Sequence, residues 1–292
     1  MSSNNADFQI SEVFNVKGKV ALITGGGSGI GLMAVQALAV NGAKVYIVGR
    51  TEEKLQTVAE THGKDIAGQI VPIVGNIADK QDIKRLVKEL SSKEKHLDIL
   101  INNAGISGAN QSPEGKTPEE FSKNLFDPEN ATFEDWETTY RTNVAQIYFM
   151  TTAFLPLIAK AAEHQRGYAG TVINTTSISG ITKNAQSQFS YNASKGAANH
   201  LTKMLASEIV NAGFKVRINA IAPGIFPSEM TAGDSKDNQK SELEKQKFEE
   251  LPARRPGNDR DMASAMLFAA TNQYLNGQVI PVDGGYLIKH GQ

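Results

Sequence analysis

Short apolar runs alternate with stretches of helical spacing along most of the chain. Val20–Ile23 runs into Thr24 and a glycine cluster. Ile30–Val40 then repeats apolar residues at helical intervals and stops at Asn41-Gly42. Val45–Val48, Ile70–Val74 and Leu97–Ile101 read as further strands. Between them lie a helix over Glu52–Thr61 behind Thr51 and an amphipathic helix over Asp79–Leu90 with Asp79 as its cap. The same alternation returns with a helical stretch from Trp136 to about Ala162 and a strand at Thr171–Thr176. A helix after Tyr191 follows, then a strand at Val216–Ile221, a helix at Asp261–Ala270 and a last strand at Gln278–Val282. Parallel strands need helical crossovers, so this order predicts an α/β fold with a parallel sheet covered on both faces.

Three regions depart from the pattern. Residues 1–17 are polar and read as a tail. Residues 106–135 are rich in Gly, Pro, Ser, Asn and Glu and interrupt the rhythm. Residues 225–251 make a long excursion whose charged part, Asp234–Glu250, reads as an exposed helix. No repeat, linker or composition shift divides the rest, so 18–292 is expected to form one domain carrying loop insertions at about 106–135 and 225–251.

Composition narrows the functional classes. With 30 Lys+Arg against 31 Asp+Glu the net charge is −1, so no global field favours nucleic acid or anionic membrane. The absence of cysteine excludes disulfide and thiolate chemistry and fits a reducing compartment. The polar N-terminus lacks a signal pattern, and the apolar stretch around Ile147–Ala162 is broken by Thr151, Thr152, Pro156 and Lys160. A soluble cytoplasmic protein is expected. The histidines show no metal-ligand spacing, so no metal is expected.

Candidate chemistry lies at two places. Thr24-Gly25-Gly26-Gly27-Ser28-Gly29-Ile30-Gly31 joins the first strand to the first helix. Glycines there permit a tight turn, close approach to a pyrophosphate and close helix–strand packing, while the helix start offers free N–H groups to phosphates. No G-K-[ST] follows, which excludes a nucleoside-triphosphatase loop. The second strand ends Gly49-Arg50-Thr51. No carboxylate stands at its tip to hold a ribose 2′-hydroxyl, whereas a guanidinium pairs with a 2′-phosphate, so NADP(H) is favoured over NAD(H). The second place is Ser177–Lys195, where a serine at a strand end precedes Tyr191 and Lys195, one helical turn apart, in a pattern suited to proton transfer.

The chain resembles the short-chain dehydrogenase/reductase superfamily, in its single-domain subgroup, from about Lys17 to Ile288. The matching motifs run in order: Thr24-Gly-x-x-x-Gly-x-Gly31, Asn102-Asn103-Ala104-Gly105, Asn143 in Arg-Thr-Asn-Val, Asn174-x-x-Ser177, Tyr191-x-x-x-Lys195, Pro223-Gly224 and Asp283-Gly284-Gly285. The resemblance implies a Rossmann-like, doubly wound three-layer fold on a seven-stranded parallel sheet. It also implies a reductase or dehydrogenase with a catalytic tetrad of Asn143, Ser177, Tyr191 and Lys195.

In that tetrad Tyr191 exchanges a proton with the substrate oxygen, Ser177 orients that oxygen, and Asn143 seats a water through its side chain or backbone. Lowering a phenol from about 10 to about 7 takes roughly 4 kcal/mol. An ammonium about 4 Å away supplies about that at an effective dielectric near 20. Lys195 is expected to be that cation and to hold the nicotinamide ribose.

By the same resemblance Gly25, Ser28, Gly29, Ile30, Gly31, Arg50, Asn76, Ile77, Asn103, Ala104, Gly105, Tyr191 and Lys195 contact the cofactor. Pro223, Gly224, Ile225 and Ser228 cover its nicotinamide end, with Ser228 where the family usually has Thr. Asn76-Ile77 stands where an acidic residue normally meets the adenine. Ser177, Ile178, Ser179, Phe189, Tyr191 and Phe226 are expected around the substrate. Their partly apolar character suits a ketone or a 3-oxoacyl group, or the corresponding secondary alcohol.

The segments 106–135 and 225–251 are the candidate substrate walls, the second as a lid. A homotetramer or homodimer is expected from the resemblance. The alternatives are an NAD-dependent alcohol, polyol or sugar dehydrogenase and, from another class, a non-catalytic dinucleotide sensor. The second is at odds with an intact tetrad.

Overall fold

A computed structural model describes residues 4–165, 167–243, 248 and 251–291. Seven strands form one sheet: β1 (Val20–Thr24), β2 (Lys44–Gly49), β3 (Gln69–Val74), β4 (Ile99–Asn102), β5 (Gly170–Thr175), β6 (Val216–Pro223) and β7 (Val279–Val282). Their order is β3-β2-β1-β4-β5-β6-β7, and every neighbouring pair is parallel.

Successive residues of each central strand face opposite sides, and both sides are apolar because both are covered. Ala21 and Ile23 pack with the helices Gly29–Val40, Glu52–His62 and Asp259–Thr271. Val20 and Leu22 pack on the other face with the helices Lys80–Lys93, Gln146–Ala159 and Phe189–Asn211. The Rossmann-like doubly wound fold is therefore the one expected.

Sequence order reverses between β1 and β4, which opens a crevice at their C-terminal ends. The crevice is fixed by contacts too close for larger residues. Gly25 has φ +67°, and a Cβ on Gly31 would lie 2.0 Å from the Gly25 carbonyl oxygen and 2.6 Å from Asn103 Nδ2. Asn103 Nδ2 donates to the carbonyls of Thr24 and Gly25, and Thr24 Oγ1 accepts from the N–H groups of Asn103 and Ala104. Strand β1, its glycine loop and the end of β4 are one hydrogen-bonded unit.

Several expectations are adjusted. The polar N-terminus makes exposed turns at Asn5–Phe8 and Ile10–Val13, but Val16 is already in the core, so the fold starts before residue 18. The stretch from Trp136 is part of a longer helical run, Phe133–His164, long and apolar enough in composition to cross a membrane. Its Ile147, Met150, Phe154, Leu157 and Ile158 are instead buried against the sheet. The helix expected at Asp234–Glu250 does not form over 234–243, which runs as turns. Residues 244–247, 249 and 250 lie outside the described residues. The interruption at 106–135 contains one helix, Pro118–Phe126, capped by Thr117 and burying none of its side chains.

Candidate active site

The crevice holds a cavity of about 480 Å³ lined from the ends of β1 to β6. Gly25, Ser28, Gly29 and Ile30 line it from the glycine loop, and Arg50, Asn76 and Ile77 from the ends of β2 and β3. Asn103, Ala104 and Gly105 follow from β4, Ser177, Tyr191 and Lys195 from β5 and its helix, and Pro223, Gly224, Phe226 and Ser228 from β6. One contiguous cavity thus gathers residues from six crossovers. Its fit to a dinucleotide is physical: a helix N-terminus and a glycine surface lie at one wall, and the cations Arg50 and Lys54 at another. Glu52 and Glu53 are exposed and do not line it.

Other expected residues sit behind the wall. Gly31 makes the close packing described above. Ile178 and Ile225 turn into an apolar cluster with Leu251, Tyr286 and Leu287, away from the cavity. Ser179 hydrogen-bonds Gln186 instead (3.1 Å). Phe189, too, is absent from the lining and begins the helix Phe189–Asn211, so Tyr191 lies in that helix's first turn rather than before it.

Asn143 lies in a π-helical turn, Arg141–Ala145, and is buried. Its Oδ1 accepts from the Ile106 N–H (2.9 Å), and its Nδ2 donates to the Ile106 carbonyl and to Ser194 Oγ (2.9 and 3.0 Å). The side chain is thereby committed to holding the chain after Gly105. Of the two water-seating routes expected, only the backbone of the π-turn is left.

The candidate proton-transfer residues are densely packed. Tyr191 and Lys195 are 8% and 4% exposed. Lys195 Nζ donates to the Thr175 carbonyl (3.0 Å) and lies 5.6 Å from the centre of the Tyr191 ring. Burial raises the Tyr191 phenol above its ordinary value, opposed by the hydrogen bond from Ser177. Burial also lowers the Lys195 ammonium, to about 8. The expected depression of Tyr191 by Lys195 is therefore corrected: desolvation of the phenolate outweighs the help it receives.

Lys54 and Thr142 were missed in the sequence, and Asp283 was named there only within a motif. Lys54 lines the cavity from the first turn of the helix Glu52–His62, four residues after Arg50, a nearness that could have flagged it. Its Nζ lies 2.5 Å from a carboxylate oxygen of Glu229, which belongs to the short helix Glu229–Ala232 that follows β6. Thr142, beside Asn143, completes the wall below Tyr191's neighbours and carries no sequence signal of its own. Asp283 has a clear role as well: it accepts from the N–H groups of Gly285 and Leu287, and a Cβ on Gly224 would lie 2.7 Å from its Cα. The Asp-Gly-Gly turn seats the chain after β7 against Pro223-Gly224.

The short chain dehydrogenase family model matches residues 19–239. The chain belongs to the short-chain dehydrogenase/reductase family. It is 37% identical over 95% of its length to the short-chain dehydrogenase/reductase PhomF of Diaporthe leptostromiformis, covering 94% of that protein. To the rhamnolipids biosynthesis 3-oxoacyl-[acyl-carrier-protein] reductase of Pseudomonas aeruginosa it is 33% identical, over 94% of this chain and 98% of the other.

Among solved structures, the Pseudomonas aeruginosa RhlG/NADP active-site complex superposes with a TM-score of 0.77 at 30% identity, covering 94% of this chain and 98% of that one. A 7α-hydroxysteroid dehydrogenase complexed with NADH and a 7-oxo bile acid gives 0.77 at 27% identity, over 95% and 98%. The family is one of oxidoreductases acting on CH–OH and C=O groups with a nicotinamide dinucleotide.

The sign of the Lys195 shift sets a pH dependence. Its cation is present below about 8 and lost as pH rises through that value, while the raised phenol stays protonated. With Lys195 as the cation of the site, kcat/KM for turnover at a CH–OH or C=O group, which reports the free enzyme, is expected to be flat near neutrality and to fall through about 8. A profile still flat well above that value would overturn this assignment to Lys195.

Proposed function

We propose that the protein is an NADP(H)-dependent reductase of a ketone or 3-oxoacyl group, with residues 18–292 acting as one catalytic domain. The observation that carries this reading is a buried, protonated Tyr191 beside Ser177 at the end of a cavity whose far wall bears Arg50 and Lys54. Reduced nicotinamide, when bound, supplies a hydride to the carbonyl carbon. The residues of the chain do the rest. Ser177 donates a hydrogen bond to the carbonyl oxygen and fixes its position. Tyr191 Oη delivers its proton to that oxygen as negative charge develops there, so carbonyl becomes secondary alcohol and Tyr191 becomes phenolate.

The protonated phenol is the form that this direction requires, and the cation of Lys195 offsets the weakening of the donor that burial brings. The phenol is fully protonated near neutrality, and it remains a far stronger acid than the alcohol it forms. Oxidation would need the phenolate that burial disfavours. Lys195, anchored on the Thr175 carbonyl, stabilises the phenolate as it forms and holds the nicotinamide ribose. The π-turn backbone at Asn143 seats the water that carries a proton back to Tyr191.

Arg50 gives the preference for a 2′-phosphate, since no residue of the β2 tip that lines the cavity is acidic and the lining carboxylate of Glu229 is held on Lys54. The likeness to a relative solved with NADP supports this choice, whereas the relative solved with NADH keeps NAD(H) as a second reading. The family likeness to a 3-oxoacyl reductase supports the substrate class. The segments 106–135 and 225–251 select among such substrates, and the second covers the site.

We read the assembly as a homotetramer or homodimer in a cytoplasmic setting. Exposed Tyr148 and Met204 on the two long helices support the contact between copies, and the lack of cysteine suits a reducing compartment. Light scattering that returns a monomer at micromolar concentration would remove the oligomer.

Tyr191→Phe is expected to lower kcat by about 100-fold or more while leaving NADPH affinity intact. Retained turnover would overturn the proton-transfer role. Arg50→Ala is expected to weaken NADPH about tenfold, the loss of one charge-assisted hydrogen bond, with little effect on NADH. Equal affinity of the variant and the parent for NADPH, measured by fluorescence titration, would instead favour NAD(H).

A further inference from the structure

The loop from Thr182 to Gln188 joins the turn after Ser177 to the helix that carries Tyr191. Two consecutive non-glycine residues in it, Gln186 and Ser187, have φ +51° and +59°. L-residues in that region are strained, and two in a row persist only where surrounding contacts determine them. Three sets of contacts do so here.

Asn192, on the Tyr191 helix, donates its side-chain amide to the carbonyls of Asn184 and Ala185 (2.9 and 3.0 Å). The N–H of Gln111, a buried residue of the 106–135 segment, donates to the Ser187 carbonyl (2.8 Å). The Gln186 side chain bridges in both directions: Oε1 accepts from Ser179 Oγ (3.1 Å) and Nε2 donates to Tyr286 Oη (2.7 Å). Tyr286 begins the C-terminal helix Tyr286–His290 and stacks on His290, with ring centres 4.3 Å apart. It also packs with Ile178, next to Ser177, and with Leu251, at the end of the lid segment.

We propose that Gln186 and Tyr286 are positioning residues for the ketone, resting on the reductase reading above. Their hydrogen bond ties the C-terminal helix and the lid base to the loop between Ser177 and Tyr191. The strained loop runs from the turn after Ser177 to the helix that carries Tyr191, so the bond holds at a fixed spacing the two groups that flank the carbonyl oxygen. That spacing sets how the carbonyl oxygen is seated and with it which face of the carbonyl is presented to the hydride. Neither residue lines the cavity, so the effect reaches the substrate through Ser177 and Tyr191 and not through a cofactor contact of their own.

Two variants test this. Tyr286→Phe removes only the hydroxyl and keeps the stacking on His290. Gln186→Gly removes both side-chain bonds and relieves the left-handed strain, so that stability and positioning separate. With a prochiral aryl or 3-oxoester ketone, both are expected to raise KM about three- to tenfold, as for the loss of one hydrogen bond. Both should also lower the enantiomeric excess of the alcohol and leave NADPH affinity unchanged. A purely structural role would shift Tm without moving the enantiomer ratio.

Parent-like KM and enantiomeric excess in both variants would overturn the proposal. A parent protein that binds NADPH but reduces no ketone would overturn the reductase reading instead. The clamp is then judged by hydrogen exchange over 182–188, which must rise in both variants; unchanged exchange would overturn it too.

Discussion

The contact on which the site depends is the near-touching of the glycine loop and the end of β4. Gly31 can approach the Gly25 carbonyl only because it lacks a Cβ, and Asn103 fills the remaining gap with hydrogen bonds to two successive carbonyls. That contact holds the first helix's N-terminus at the crevice where strand order reverses. The parallel sheet then does the rest of the assembly. Every strand points the same way, so every loop that follows a strand opens on the same edge, and residues from Ser28 to Ser228 converge without being near in sequence.

Beneath the proton-transfer residues lies a buried polar layer. Asn102 donates to Asn174 and Thr151, and Asn174 donates to Thr202, linking β4, β5 and their two helices. The amide donors of both asparagines are satisfied within the layer, while the buried Asn102 Oδ1 has no hydrogen-bond partner among the described residues. The layer fixes the end of β5, whose Thr175 carbonyl receives Lys195. Burial then sets the electrostatics: it raises the phenol and lowers the ammonium, so both shift towards their neutral forms. The same desolvation keeps Tyr191 in its protonated form at neutral pH while making it a weaker acid than an unshifted phenol.

Most of the fold was legible in the chain. Alternating apolar runs and helical spacings located all seven strands to within a few residues, because a strand buried on both faces must be apolar throughout. The failures share a cause. The charge run after Asp234 does not form a helix over 234–243, and the 106–135 segment contains one that buries no side chain. Where no core face constrains the chain, periodicity carries no information. Ile178, Ser179 and Ile225 stand in the right motifs, yet their side chains turn away from the cavity. A one-residue rotation at a strand end decides which side each faces.

The sequence by itself determined the sheet, the glycine loop and the order of the proton-transfer residues, since these follow from local periodicity and from residue types at fixed spacing. Only the tertiary structure decided what those residues experience. The raised phenol of Tyr191, the commitment of Asn143 to Ile106, the meeting of Lys54 with Glu229 and the hold of Tyr286 on Gln186 all join positions far apart in the chain. Burial and hydrogen-bond geometry are properties of packed neighbours, and no single stretch of sequence contains them.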